Sequence, residues 1–230
     1  MSRTTKSVLI GTAVSLAAGL AAAHVGVSSG PGFADKNQEI VLGVGHGCGK
    51  LDTQSVTVDI PTSVTSVRAL PSEFGKPTVQ RDTADLVRSV TWTRPASELV
   101  ANDDNYYKLV LRIRVPNQPF TKLLFPTHQT CRTADGGSTT VDWIAETETD
   151  GGPEPAPELT IVPARQPGWN RFTVPAAIPD LKVFFSDALI VWKGSAAFSA
   201  NPSTAQMIDD TDDVTQLTSL AANDEIWVKY

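Results

Sequence analysis

The sequence predicts an all-β protein: an antiparallel, immunoglobulin-like or cupredoxin-like β-sandwich that carries a C-terminal α/β extension. Before Gln166, short runs rich in β-branched residues recur and end at Pro, Gly, Asn or Asp, while no run keeps a helical period over several turns. Beyond Gln166 the pattern changes. Apolar runs at 181–185 and 188–192 precede a short helical stretch from Ser203 to Asp209, with Ser203 as its expected cap, and the last six residues read as a strand. The chain divides into a leader (1–23), a sandwich (24–165) and an extension (166–230).

The leader carries the cations Arg3 and Lys6, an apolar run from about Val8 to Leu20, and Ala21-Ala22-Ala23, the small-residue signature of a cleavable export signal. The run is short for a membrane span, so cleavage after Ala23 is expected, leaving His24 as the first residue. No later apolar run reaches spanning length; a periplasmic protein without a membrane span after signal removal is expected.

In the sandwich, 38–44 alternates, with Ile40, Leu42 and Val44 on one face and Glu39, Val41 and Gly43 on the other. The runs 55–60 and 64–70, separated by Pro61-Thr62-Ser63, read as adjacent strands joined by a short turn. Further strands are expected at 89–93, 106–115, 122–127, 139–145 and 158–162. His46-Gly47-Cys48-Gly49 reads as a tight loop, and 151–157, rich in Gly and Pro, as an extended rigid connector.

The net charge is −6, with 19 Lys and Arg against 25 Asp and Glu, and loss of Arg3 and Lys6 makes the processed chain more acidic by two. That balance argues against nucleic acid or an anionic membrane as the main partner and suits a protein that handles a cation. Hydrolase and nucleotide chemistry find little support: HExxH, P-loop and GxGxxG motifs are absent, and Gly26-Val27-Ser28-Ser29-Gly30, which has the GxSxG spacing, runs into a Gly- and Pro-rich loop and not into the helix a nucleophile elbow needs. The run Asp209-Asp210-Thr211-Asp212-Asp213 is acidic but lacks the glycine and terminal glutamate of an EF-hand loop.

Candidate chemistry centres on His24. A free α-amine titrates near ~8 and an imidazole near ~6.5, so both nitrogens can be deprotonated near neutral pH and chelate one ion. Nitrogen donors on one residue suit Cu(II). Cys48 and Cys131, in an oxidising compartment, are expected to form one disulfide closing a loop of roughly 80 residues, with a copper–thiolate pair as the alternative. If they pair, His46 and His128 come into one neighbourhood. Glu39 offers an oxygen ligand or is a solvated strand carboxylate. Trp143 shields a metal site or packs as core.

Ala23-His24-Val25, Val44-Gly45-His46-Gly47-Cys48-Gly49, Asp59-Ile60-Pro61, Ser89-Val90-Thr91-Trp92, Phe125-Pro126-Thr127-His128-Gln129-Thr130-Cys131 and Trp143 together resemble the YcnI-like copper-associated exported proteins, over about residues 24–162. The resemblance implies a β-sandwich binding Cu(II) through a single-histidine brace, completed by a glutamate and approached by a tryptophan. The brace histidine carries onto His24, the tryptophan onto Trp143 and the glutamate onto the strand position at Glu39, with His46 the next candidate ligand. Ser72-Glu73-Phe74-Gly75 departs from the Pro-Gly-Trp of many relatives. The expected function is that of a periplasmic copper chaperone, buffer or delivery factor, not an enzyme. Its expected partners are the copper ion and other periplasmic copper carriers or a membrane copper transporter. A copper oxidase or polysaccharide monooxygenase and a non-metal envelope interaction module are the alternatives.

Overall fold

The computed structural model describes residues 25–100, 103–133, 135–147, 149 and 151–230. In chain order the first strands are β1 (Gly26–Val27), β2 (Gly32–Phe33), β3 (Asn37–Val44), β4 (Thr53–Asp59), β5 (Thr65–Ala69), β6 (Thr78–Arg81) and β7 (Val87–Thr93). They are followed by β8 (Tyr107–Arg114), β9 (Thr121–Leu124), β10 (Thr127–Arg132), β11 (Ser138–Ala145), β12 (Glu154–Pro155) and β13 (Glu158–Val162). The extension adds β14 (Trp169–Thr173), α1 (Lys182–Phe185), β15 (Ile190–Lys193), β16 (Ala196–Phe198), α2 (Pro202–Asp209), β17 (Thr215–Gln216) and β18 (Glu225–Lys229).

The architecture is an immunoglobulin-like sandwich. A four-stranded sheet, β1-β3-β8-β5, shares one core with a six-stranded sheet, β12-β11-β10-β4-β7-β6, and a small sheet, β2-β13-β9, completes this part of the fold. Strand alternation explains the packing. Ile40, Leu42 and Val44 of β3, Leu109, Leu111 and Ile113 of β8, and Val56 and Val58 of β4 are all fully buried. Each such side chain contributes about 1.5–3 kcal/mol by leaving water. Trp92 is also fully buried, and its indole N–H donates to the Leu70 carbonyl at 3.0 Å, tying β7 to the end of β5.

Several expectations are corrected. The runs around Pro61-Thr62-Ser63 do not pair: β4 belongs to the six-stranded sheet and β5 to the four-stranded one, so this link crosses between layers. The strand expected at 122–127 is two strands, β9 and β10, in different sheets. Pro126 between them lacks an N–H with which to continue a ladder. The connector at 151–157 includes β12, a parallel edge strand on β11, where a proline is tolerated because the outer side needs no partner.

The extension has its own five-stranded sheet, β14-β18-β15-β16-β17, and its own core, which includes Phe185, Val191, Ile226 and Val228. It packs on the sandwich through Phe120, whose ring meets Phe172, Phe184 and Phe185 with centroids 6.1, 5.8 and 5.6 Å apart. Phe120 holds φ 64°, an uncommon conformation for a large side chain, with its N–H fixed to the Ile161 carbonyl at 2.8 Å. The cap of α2 is Asn201, not Ser203: its side chain accepts from the Ser203 and Thr204 N–H groups, and Pro202 takes the first helical position, where a missing N–H costs nothing.

Candidate metal centre

His24 and the expected leader lie outside the described residues. The described chain begins at Val25, which is 2% exposed and packs in the sandwich core. Gly26 is registered with Gly43 and Val27 with Leu42, antiparallel, so β1 comes in alongside the end of β3 that leads to Gly45 and His46.

At that end the loop carrying His46 and Cys48 meets β10 and β11. Cys48 and Cys131 are bridged, as the sequence predicts, with Cα atoms 5.8 Å apart. The bridge anchors the loop carrying His46 to β10. Gln129, fully buried on β10, uses its whole amide: Nε2 donates to the His46 carbonyl at 2.6 Å and to Thr53 Oγ1 at 2.8 Å, while Oε1 accepts from Trp143 Nε1 at 3.0 Å. Trp143 is 2% exposed, and the His46 ring stands edge-on to it with centroids 6.1 Å apart. His46 Nδ1 donates to the Gly47 carbonyl, so Nε2 carries the lone pair of the neutral ring.

A second polar cluster braces this end. The Arg94 guanidinium pairs with Asp52 at 2.5 Å, both side chains nearly fully buried, and donates from Nε and Nη2 to the Thr53 carbonyl at 2.9 and 2.7 Å. Tyr107 donates to Asp52 at 2.9 Å. Pairing and complete hydrogen bonding offset the desolvation of the two charges. Asp103 accepts from the Gly47 N–H. Burial pushes the Asp103 carboxyl above its ordinary range, against the pull of that hydrogen bond. Gly47 must be glycine, since a Cβ there would lie 1.9 Å from the Leu51 carbonyl oxygen.

Of the residues singled out in the sequence, His46 and Trp143 are brought together and Glu39 is not. Glu39 is exposed, on the opposite face of β3 from Ile40 and Leu42, and is registered against Arg112. Val44 is five residues further on, about 17 Å along an extended strand. Another carboxylate is registered beside Trp143. Glu154 of β12 is registered with Trp143 of β11 and is half-buried, so its side chain shares the Trp143 side of the sheet. Sequence reasoning missed it because Gly151-Gly152-Pro153-Glu154-Pro155 has the composition of a linker.

His128 is also kept apart from His46. Thr127, Gln129 and Cys131 point into the core, so His128 points outward. There its Nδ1 is 2.6 Å from Asp142 Oδ1 and its Nε2 3.6 Å from Asp59 Oδ2. The disulfide therefore does not gather the two imidazoles.

Among the described residues, no group of three or more His, Cys, Asp or Glu side chains is arranged to hold a metal ion. The described residues near Trp143 offer one imidazole, His46, and one carboxylate, Glu154, which by themselves are fewer donors than a closed metal site needs.

The fold defines an immunoglobulin-like β-sandwich. The chain belongs to the family described as "Domain of unknown function (DUF1775)", which matches residues 24–161 and is the family of YcnI-like proteins. It is similar to an uncharacterized protein from Nocardia farcinica whose crystal structure has an immunoglobulin-like fold. The identity is 24% and the TM-score 0.50, over 60% of this chain and 98% of that one. A type I cohesin–dockerin complex from Clostridium thermocellum is a more distant likeness, at 12% identity and a TM-score of 0.28 over 59% of this chain and 84% of that one. No curated protein matches the chain. Among the described residues no helix is long and apolar enough to cross a membrane.

Proposed function

We propose that this is an exported, non-catalytic Cu(II)-binding protein that carries, buffers or delivers copper, with the ion held at the His46 end of β3, between the start of β1 and the Trp143–Glu154 strand pair. The observation that carries the reading is the burial of Val25 beside the His46 end of β3. His24 is joined covalently to Val25, so a free His24 amine arises within one peptide unit of that end, about 3.8 Å between Cα atoms. The family match also starts at residue 24, the first residue left by the expected cleavage.

In this reading the His24 amine and imidazole form the chelate, Glu154 supplies the carboxylate assigned to Glu39 on resemblance, and Trp143 walls the site. His46, with Nε2 unprotonated, is the further nitrogen donor. Cu(II) held there would favour these nitrogen and oxygen donors over solvent. Gln129 holds Trp143 and the His46 loop in one arrangement, which spares the site the cost of ordering them on binding. A transporter or another periplasmic carrier would receive the ion.

The test compares two carboxylates. Glu154→Gln should weaken Cu(II) about 10–100-fold, the scale seen when a metal site loses a partner group. Glu39→Gln should leave affinity unchanged. The reverse pattern would move the site to the outer face of β3, and a processed wild-type protein that takes up no Cu(II) would end the copper reading.

A further inference from the structure

Five tryptophans occur in the chain, and they divide by environment. Trp92 and Trp143 are buried with their N–H groups donated to protein oxygens. Trp169, Trp192 and Trp227 instead share the outer face of the extension's sheet. Alternation puts them there: Ile226 and Val228 of β18 are fully buried, so Trp227 and its neighbours Glu225 and Lys229 point out, as do Trp169, Arg171 and Thr173 of β14. Register sets Trp192 directly opposite Trp227, with Arg171 on the other side of Trp227, and sets Trp169 opposite Lys229. Adjacent strands lie about 4.8 Å apart, so Trp192 and Trp227 are direct cross-strand neighbours and Trp169 lies diagonally from Trp227, on the same face.

With Gly194 they line an open hollow of about 510 Å³, and Trp169 and Trp227 remain about half exposed, at 51% and 50%. Folding does not need these side chains in water, because the sheet buries its other face. A cluster of exposed aromatic rings rimmed by charges marks a binding surface.

We propose that this face binds a glycan chain, with pyranose rings laid flat on the indoles. A pyranose is amphipathic: its C–H face stacks on an aromatic plate, while its rim carries hydroxyls that both donate and accept. The polar groups on this face match that rim. Arg171 pairs with Glu225 at 2.5 Å, and Lys229 Nζ lies 5.9 Å from the Trp169 ring centre, so two cations and one carboxylate surround the plates. That excess of positive charge disfavours a quaternary ammonium ligand and admits a neutral or acidic sugar. A proline-rich peptide also stacks on aromatic rings, but its prolines bring no N–H for Glu225, whereas a hydroxyl can donate there. The hollow is open rather than enclosing, which suits an extended chain more than a small molecule that a pocket would surround. The inference rests on the extension alone and is independent of copper.

The test uses the full processed chain with insoluble chitin, and with cellohexaose, chitohexaose and a proline decamer titrated against tryptophan fluorescence. The expected result is retention on chitin and a fluorescence change with at least one hexasaccharide. Trp227→Ala and Trp192→Ala should each weaken that binding about tenfold, the scale of a lost ring contact, and Trp169→Ala, at the sheet edge, is the variant least exposed to folding defects. A Glu39→Gln control should bind as wild type. Failure of all the glycan probes, glycan binding indifferent to all three substitutions, stronger binding of the proline decamer at the same residues, or self-association through this face without glycan binding would each overturn the proposal.

Discussion

His46 and His128 lie near the two ends of one disulfide, yet the fold gives them opposite chemistry. His128 sits on the outer face of β10 with a carboxylate facing each ring nitrogen, Asp142 at 2.6 Å and Asp59 at 3.6 Å. The Asp142 hydrogen bond raises its pKa above the ordinary imidazole value, against the opposing effect of burial, with Asp59 adding to the rise. A ring that favours two protons has no lone pair to give a metal. His46 faces a backbone carbonyl through Nδ1 and an indole edge, so in its neutral form the lone pair falls on Nε2. Sequence distance from a cysteine therefore says little about a histidine's role; the face of the strand decides it.

Breaking the disulfide should have the largest effect on this contrast. Cys48→Ser with Cys131→Ser opens a link between residues 83 apart in sequence, at a cost of about 2–4 kcal/mol in chemical denaturation. Hydrogen exchange should quicken around Gly47 and Cys48 but not at His128, which is paired on both sides by β11 and β4. Equal loosening at both histidines would show that the bridge does not specifically hold the His46 loop.

Gln129→Ala should come next, at about 1–3 kcal/mol, because it strips partners from the Trp143 N–H, the His46 carbonyl and the Thr53 hydroxyl together. The Trp143 indole proton should shift in NMR spectra while the His128 titration stays as in wild type. An unmoved Trp143 resonance would mean that the amide does not orient the ring.

The smallest effect concerns pH. Because the folded pKa of His128 is raised, its ion pairing stabilises fully below the unfolded value near ~6.5, and this stabilisation is lost as pH rises through the folded pKa. Asp142→Asn should lower the His128 midpoint in an NMR titration and remove at most about 0.5 kcal/mol of acid-side stability, since solvent screens this half-exposed pair. A midpoint that does not fall would assign the shift to Asp59.

Local patterns made much of the fold legible. The period-two alternation of Ile40, Leu42 and Val44 against Glu39 and Val41 reads directly as a half-buried strand, and two cysteines without a CxxC spacing read as one bridge. What stayed hidden depends on pairing between distant segments. Nothing local tells β4 from β5 by sheet, and the parallel pairing of Glu154 with Trp143 cannot be read from a Gly- and Pro-rich stretch. Glu39 illustrates the converse: the strand around it is read directly from the alternation, but only the fold shows that Glu39 is exposed and lies far along β3 from the His46 end. The cap of α2 was within reach, since Asn201 before Pro202 is a stronger start signal than Ser203.

The central claim, that copper is held by a chelate at the processed terminus, is tested most directly by comparing Cu(II) affinity between protein that begins at His24 and protein that retains Ala23. The α-nitrogen of His24 is a basic amine only when free; in a peptide bond it is an amide and a poor ligand. The account predicts that the extended form keeps its disulfide and fold but loses most of its Cu(II) affinity, together with the amine-plus-imidazole nitrogen hyperfine pattern in electron paramagnetic resonance. Equal affinity in the two forms would contradict it and return His24 to the status of an ordinary first residue.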